Sequence, residues 1–487
     1  MIDVFVEDLN YRQIDSRYNR KKKKMTKILL YNWDRIDGHD GGGVTVYLKN
    51  IITHLCDNPN YKIFFLNSGL TYTRDRKICI RQISNSISKK ILCYEILNSP
   101  IIAPVQQSIR NLEHYFEDET LYPLIKEFIE QQGEFDIIHF NNLEGLSYQV
   151  LQLKREYPKT RIIYSAHNYF PICSRVNLWK DEIKGLGHNC NKQNYEECAE
   201  CYGKRNYLSV ISRRRVGEKG IVGAMCKVAT HIYDKTLPDS GDVNLYKQFE
   251  KKNIEAINNY MDCVLAVSKR VKDILVARGV KEEKIILSYI GTKVAENPMK
   301  HANTDLNADI FRIAYMGYMN DFKGFYFLLD ALKKMPDEIA KKTAVHIIAK
   351  HDPVAQKKEI QELEKLKRKC ADVILINGYT PNNQKQLLQG IHLGIIPVLW
   401  EDNLPQVAIE QVAYGVPILT SDLGGAAEIG NNSNFVFKAG NTQEFLQRVS
   451  YFYNNRQELN RFWDNAMELV TLDQHMKQLT NIYALEE

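Results

Sequence analysis

Four cysteines crowd one stretch of the chain: Cys173, Cys190, Cys198 and Cys201, the last two forming C-x2-C. A C-x2-C pair can set two thiolates on one metal, and two more complete a tetrahedral all-sulfur set, with His188 a rival ligand. With four protein ligands a Zn²⁺ there would staple the surrounding loop and not catalyse. The other reading is four reduced thiols. The chain opens MIDVFVEDLN, without the basic and apolar regions of a secretory signal, so its ten cysteines are expected in a reducing cytoplasmic compartment.

A second group of residues could handle a sugar or a phosphate. In VLWEDNLPQVAIEQVAYGVPILTSDLGG (398–425) a strand ends at Trp400, Glu401 and Asp402 follow, and a helix expected from about Asn403 carries Glu410. Capping alone would explain Asp402 or Asn403, and a solvated helix face would explain Glu410. Neither explains the whole string with its Gly415 and its Gly424-Gly425 turn. In AYMGYMNDFKGFYFLLDAL (314–332), Lys323-Gly324 opens a helix with Phe325, Leu328, Leu329 and Leu332 on one face. In DRIDGHDGGGVTVYLKNI (34–51), Gly41, Gly42 and Gly43 separate a first strand from an amphipathic helix, a turn that lets backbone N–H groups approach a phosphate. It is not G-x-G-x-x-G, so the dinucleotide fingerprint is absent. His167 stands at the carboxyl end of the strand in IIYSAHNYFPIC (162–173), where parallel sheets place ligands, whereas His139 reads as structural.

These residues must be positioned by alternating strands and helices. Strands are expected at 27–33, 61–68, 135–142, 161–168, 263–268 and 284–291, with helices such as LYPLIKEFIEQQ (121–132) and SKRVKDILVARG (268–279) between them. After a polar linker (292–310) the alternation restarts, with strands at 311–318, 344–350, 373–380, 393–400, 416–421 and 434–440. This is the signature of βαβ units and parallel sheets, giving an α/β chain of two doubly wound halves facing across a cleft. The expected divisions are a flexible extension 1–24, a first domain 25–295 with a cysteine-bearing insertion at about 170–260, a second domain 305–455 and a helical tail 456–487.

The 398–425 string closely resembles the retaining GT-B glycosyltransferases of family 4, whose E-x7-E motif holds the donor sugar and the nucleotide ribose. The resemblance runs in order over about residues 26–450 and implies two Rossmann-like domains, acceptor side first and nucleotide-sugar side second, with the tail crossing back. Glu410 matches the second Glu, and Asp402 stands for the first, with adjacent Glu401 able to substitute for it. Asn403 and Leu404 would offer backbone amides to the pyrophosphate. Lys323 matches a diphosphate-gripping lysine, but Tyr318 stands where an Arg is usual, leaving Arg312 or another cation to replace it. The Gly41–Gly43 run matches a mobile active-site loop, and His167 the histidine that reaches the donor sugar. Ile290-Gly291 replaces a usual Asn-Gly, and Glu428 matches a residue near the donor pocket. The implied reaction transfers a sugar from a nucleotide-diphosphate sugar to a glycan or lipid-linked acceptor, with retention and no catalytic metal, in cell-surface polysaccharide assembly.

Composition narrows the alternatives. The 487 residues are 44% hydrophobic and 25% charged, and no apolar run approaches the roughly 18 residues of a membrane span. The net charge of +6 is local, with basic excess in residues 1–24 and in 204–228, so nucleic-acid binding by the whole chain is not implied. The stretch KRNYLSVISRRRVGEKG (204–220) reads either as a solvated helix or as a contact for anionic lipid head groups or a polyanionic acceptor, placing the protein at the inner face of the cytoplasmic membrane. The rival to an enzyme is a binding module in which cysteines and cations recognise a partner and the sheets are scaffold.

Overall fold

The computed structural model describes residues 25–38, 42–104, 109–180, 187–190, 194–201, 207–216, 221–236, 243–299 and 304–484. The expected 1–24 extension, Gly41, and parts of the basic stretch (204–206 and 217–220) lie outside the described residues.

In the first half the strands are β1 (Thr26–Tyr31), β2 (Tyr61–Ser68), β3 (Cys79–Ile83), β4 (Ile91–Leu97), β5 (Ile137–Phe140) and β6 (Arg161–Ala166). A small hairpin, β7 (Trp179–Lys180) and β8 (His188–Asn189), precedes β9 (Cys263–Ala266) and β10 (Ile285–Leu287). Among the described residues the large sheet has the order β10-β9-β6-β5-β1-β2-β4-β3, parallel throughout except for antiparallel β3 at its edge. Central strands such as β5 are buried along their whole length, because helices cover both faces. That is why they read in sequence as largely apolar runs, with His139 a buried polar exception in β5.

The second half holds β11 (Phe311–Met316), β12 (Thr343–Ile348), β13 (Asp372–Ile376), β14 (Leu393–Ile396), β15 (Ile418–Ser421) and β16 (Val436–Phe437). They form an all-parallel sheet in the order β13-β12-β11-β14-β15-β16. In each sheet the strand order reverses at the first strand, which lies between two later ones: β1 between β2 and β5, and β11 between β12 and β14. Connections diverge there and open a crevice at the carboxyl ends.

Helices close the layers by ordinary patterning. Leu121–Gln132 buries Leu121, Ile125, Phe128 and Ile129 on one face, with Asp118 accepting the Leu121 N–H at 3.0 Å and Gly133 ending it at φ +75°. The insertion between β6 and β9 carries the hairpin and helices Tyr195–Cys201, Tyr207–Arg214, Ile221–Thr236 and Val243–Tyr260.

The final helix, Leu472–Tyr483, starts with a capping box between Thr471 and Gln474 and lies against the first half. Tyr483 hydroxyl meets His139 Nδ1 at 2.7 Å, and Gln478 bonds the backbone carbonyl of Leu287 at 2.9 Å. Gly291 permits this crossing: a Cβ there would lie 2.3 Å from the Cβ of His475.

Candidate active site

Because β11 and β14 are adjacent and parallel, the loops leaving them enter the same crevice. The first delivers Lys323 and the second Asp402, and Lys323 Nζ donates to Asp402 Oδ2 at 2.6 Å while sitting 5.0 Å from the centre of the Trp400 ring. Gly324 makes this possible. Its φ is +76°, and a Cβ would sit 1.7 Å from the carbonyl oxygen of Pro397, where β14 ends. Gly424 plays the same part behind Asp402, with φ +74° and a would-be Cβ 2.2 Å from the Asp402 carbonyl oxygen.

Glu401 and Asp402 diverge. Asp402 lines the cleft, whereas Glu401 is 2% exposed and turned toward the interface between the halves. There it accepts both Arg270 nitrogens, Nε at 2.8 Å and Nη2, together with the Gly424 N–H at 3.0 Å and the Asn189 amide at 3.3 Å. Its oxygens are occupied away from the cleft, so Asp402 is the carboxylate placed to meet a ligand.

The helix carrying Glu410 runs from Gln406 to Ala413 and starts after Pro405, not at Asn403. Proline fixes its own φ and disfavours the helical region for the residue before it, which delays the start. Asn403 and Leu404 are therefore buried loop positions lining the cleft. Glu410 faces the same cleft, where Tyr379 hydroxyl donates to its Oε2 at 2.8 Å. Burial raises its pKa, and hydrogen bonds from Tyr379 and Gln384 pull it back.

The first half contributes Gly42 and Gly43, which open helix Gly42–Asp57, and His167 beyond β6. Gln406 Nε2 donates to the Gly43 carbonyl at 3.0 Å, so the glycine turn touches the first residue of the Glu410 helix. His167 packs on Tyr47, ring centres 4.7 Å apart, and burial lowers its pKa to about 3, so it is a neutral imidazole. Its Nε2 and the Asn403 Nδ2 are buried polar atoms with no hydrogen-bond partner among the described residues. A ligand with hydroxyl groups would satisfy both. The cleft between the halves has a volume of about 590 Å³, within the usual range of roughly 300–1,000 Å³ for small-molecule sites.

Lys350 and Tyr47 are not singled out in the sequence, and Arg312, Glu428 and His139 take their places only in the fold. Arg312 is the second residue of β11 and so lies at the sheet's opposite end, while exposed Tyr318 lines the cleft as a polar ring and Lys350, just past β12, lines it as a second cation. Its signal was its position after an apolar strand. Tyr47 is fixed from behind by the last helix, its hydroxyl 2.8 Å from His475 Nε2. Glu428 accepts the Lys269 and Arg270 N–H groups at 2.9 and 2.7 Å and the Tyr289 hydroxyl at 2.7 Å, capping helix Lys269–Ala277 across the interface. His139, between Tyr483 and Ser165, is wholly buried.

The four clustered cysteines line a separate cavity of about 50 Å³ with Trp179 and Tyr246, and all are free thiols. Burial, reinforced by the neighbouring sulfurs, pushes Cys190 and Cys198 up to about 12. Cys173 accepts backbone N–H groups of Arg175 and Leu178, and the Arg175 guanidinium reaches Cys201 Sγ at 3.5 Å. Among the described residues no group of three or more His, Cys, Asp or Glu is placed to hold a metal ion. His188 instead lies 3.5 Å from Glu197. Among the described residues no helix is long and apolar enough to cross a membrane.

Comparison with known proteins bears on the fold and on the second half of the chain. Residues 310–455 match the family described as Glycosyl transferases group 1. The lipopolysaccharide 1,2-N-acetylglucosaminetransferase of Salmonella typhimurium is 28% identical over 140 residues, 27% of this chain and 36% of that protein, so the match spans about a third of the relative's length. The structure of Anabaena HepE in complex with UDP is similar with a TM-score of 0.56 at 14% identity, covering 94% of this chain and 99% of that one. Sucrose-phosphate synthase from Thermosynechococcus elongatus gives 0.57 at 14% identity, covering 94% and 98%. At these identities the structural likeness speaks to the fold. This chain takes the GT-B fold, and Lys323, Asp402 and Glu410 all lie inside the segment 310–455 that is similar to the glycosyl transferases group 1 family.

Proposed function

We propose that this protein is a retaining glycosyltransferase of the family 4 type, moving a sugar from a nucleotide-diphosphate sugar to a glycan or lipid-linked acceptor in cell-surface polysaccharide assembly. The observation that carries the reading is the convergence of Lys323, Asp402 and Glu410 from one sheet with Gly42, Gly43 and His167 from the other on a single cleft. A nucleoside diphosphate bound by HepE, and the lipopolysaccharide activity named for the Salmonella relative, support the donor class and the setting.

In this reading the nucleotide ribose bonds Glu410 and the diphosphate lies against Lys323, with Lys350 and the backbone N–H groups of the Gly42–Gly43 turn within the same cleft. The donor sugar meets Asp402, the Asn403–Leu404 backbone and the neutral His167 imidazole, a hydrogen-bonding group for sugar hydroxyls. The bond from the anomeric carbon to the diphosphate breaks, the acceptor oxygen bonds to that carbon on the same face, and the acceptor proton passes to the departing phosphate. Charge develops on the diphosphate in an oxocarbenium-like transition state, so a fixed cation lowers the barrier. Lys323 is held ready by Asp402, and a diphosphate competes for its ammonium group.

The test is a panel of UDP-, GDP-, ADP- and CDP-sugars read by thermal shift and then by turnover. Saturation at about 100 times the dissociation constant adds roughly 2.7 kcal/mol. Selective stabilisation by one nucleotide and a product of unchanged anomeric configuration are expected. Inversion would remove the retaining assignment; stabilisation by none, with salt-dependent polyanion binding alone, would favour the binding module.

A further inference from the structure

Helix Ile221–Thr236 is turned inside out. Met225, Val228, Ile232 and Tyr233 are 67%, 60%, 58% and 51% exposed, and the spacing of the first three (i, i+3, i+7) puts them on one face. Among its described side chains, those the helix keeps inward are small: Thr230 hydroxyl bonds Ser212 hydroxyl at 3.0 Å, and Cys226 is half-buried. Nothing else among the described residues concentrates large apolar side chains on the surface in this way; Val216, just before the helix, is 53% exposed as well.

Cations accompany this apolar face. Lys227 on the helix's flank is exposed, as is Arg213 on the preceding helix Tyr207–Arg214. Residues 204–228 contain seven Lys or Arg and one acid. An apolar stripe bordered by basic groups is the pattern of a helix lying in the plane of an anionic bilayer, its apolar side chains among the acyl chains and its cations at the head groups.

Its place in the fold is specific. Arg214 anchors the helix pair by donating to the carbonyls of Gly69 (2.9 Å) and Ala103, Val216 N–H bonds the Tyr72 carbonyl at 3.0 Å, and Tyr207 and Val210 pack on Tyr72 and Ile102. Those loops follow β2 and β4, so the pair stands on the carboxyl edge of the first sheet. Gly42 and His167 enter the cleft from that same edge, after β1 and β6.

We infer that the exposed face of helix Ile221–Thr236 docks on the surface of an anionic lipid bilayer and sets the acceptor side of the cleft against it. That the docked surface presents a lipid-linked acceptor rests on the function proposed above; the docking itself does not.

The full chain should co-sediment with vesicles of phosphatidylglycerol and phosphatidylcholine, and much less with phosphatidylcholine alone. Val228→Glu combined with Ile232→Glu should lower vesicle partitioning at least tenfold while leaving the thermal midpoint and its nucleotide-induced shift unchanged. Lys227→Glu should lower binding to anionic vesicles and flatten its salt dependence, with the apolar stripe intact. Wild-type protein left in the supernatant, or equal partitioning of the double variant, would overturn the inference. So would a dimer in light scattering that the double variant breaks, since the face would then belong to a second copy. Because docking is read without donor or turnover, a missing nucleotide shift would count against the glycosyltransferase reading alone.

Discussion

Arg270 Nε lies 2.8 Å from Glu401 Oε2, and this pair ties a helix of the first half to the loop that presents Asp402 in the second. Glu401 is almost fully buried while the Arg270 side chain is 41% exposed, so the pair is screened on one side only. Arg270→Ala would leave Glu401 with the Gly424 N–H and the Asn189 amide, and should lower stability by about 2 kcal/mol, less than the roughly 3–5 of a fully buried pair. Arg270→Lys should recover only part of this, because an ammonium cannot engage both oxygens in a fixed fork. Chemical denaturation of the two variants checks both statements.

Lys323→Ala should reduce turnover about 10²–10³-fold, the usual effect of losing a preorganised charge at a developing anion, with a thermal midpoint close to wild type. Gly424→Ala should produce a similar loss by another route. Its methyl group would meet the Asp402 carbonyl oxygen at 2.2 Å in a left-handed backbone, displacing the carboxylate from Lys323. Steady-state kinetics with the nucleotide sugar from the thermal panel separates these from Lys350→Ala, expected to raise KM more than it lowers kcat.

Acid should loosen the junction between the last helix and the first half. Burial lowers His139 and His167 to about 3 and His475 to about 4, all below the ordinary value of 6.5. The unfolded chain therefore binds more protons between about pH 6.5 and 4, and stability falls as pH drops through that window, by up to about 1.4 kcal/mol per pH unit for each histidine. Thermal midpoints measured from pH 7.5 to 4.5 should show this decline, and His475→Gln should make it shallower. An unchanged slope in that variant would remove His475 from the account.

A structural Zn²⁺ on Cys173, Cys190, Cys198 and Cys201 is a proposal that requires these half-buried thiols, which line one cavity, to lose their protons. Elemental analysis of protein purified without chelator should find about one zinc per chain, lost in Cys198→Ser combined with Cys201→Ser, with a lower thermal midpoint but retained nucleotide binding. Metal-free protein with four titratable thiols in this cluster would leave the free-thiol reading.

Much of the architecture was legible because parallel strands covered on both faces must be apolar along their length, as in CVLA of β9. Helix Leu121–Gln132 was equally readable from its periodicity. Lys323-Gly324, Asp402 and Glu410 were visible because local turns and spacing bring each to the end of a strand or onto a helix. Their meeting across separate loops was legible only through the family resemblance. The start of the Glu410 helix was misplaced at Asn403 because Pro405 acts on the backbone before it.

Glu401 and Asp402 are chemically similar neighbours, and no pattern in the chain says which one turns into the cleft. That choice follows from Arg270, 131 residues earlier, which holds one carboxylate at the interface and leaves the other to Lys323. Lys350, Tyr47 and His475 likewise gain their positions from strand order and from the returning last helix. Local order is written in residue type and period, since backbone geometry and burial act over a few residues. Which polar side chains share a cleft depends on contacts hundreds of residues apart, and it is set only when the sheets and the last helix pack.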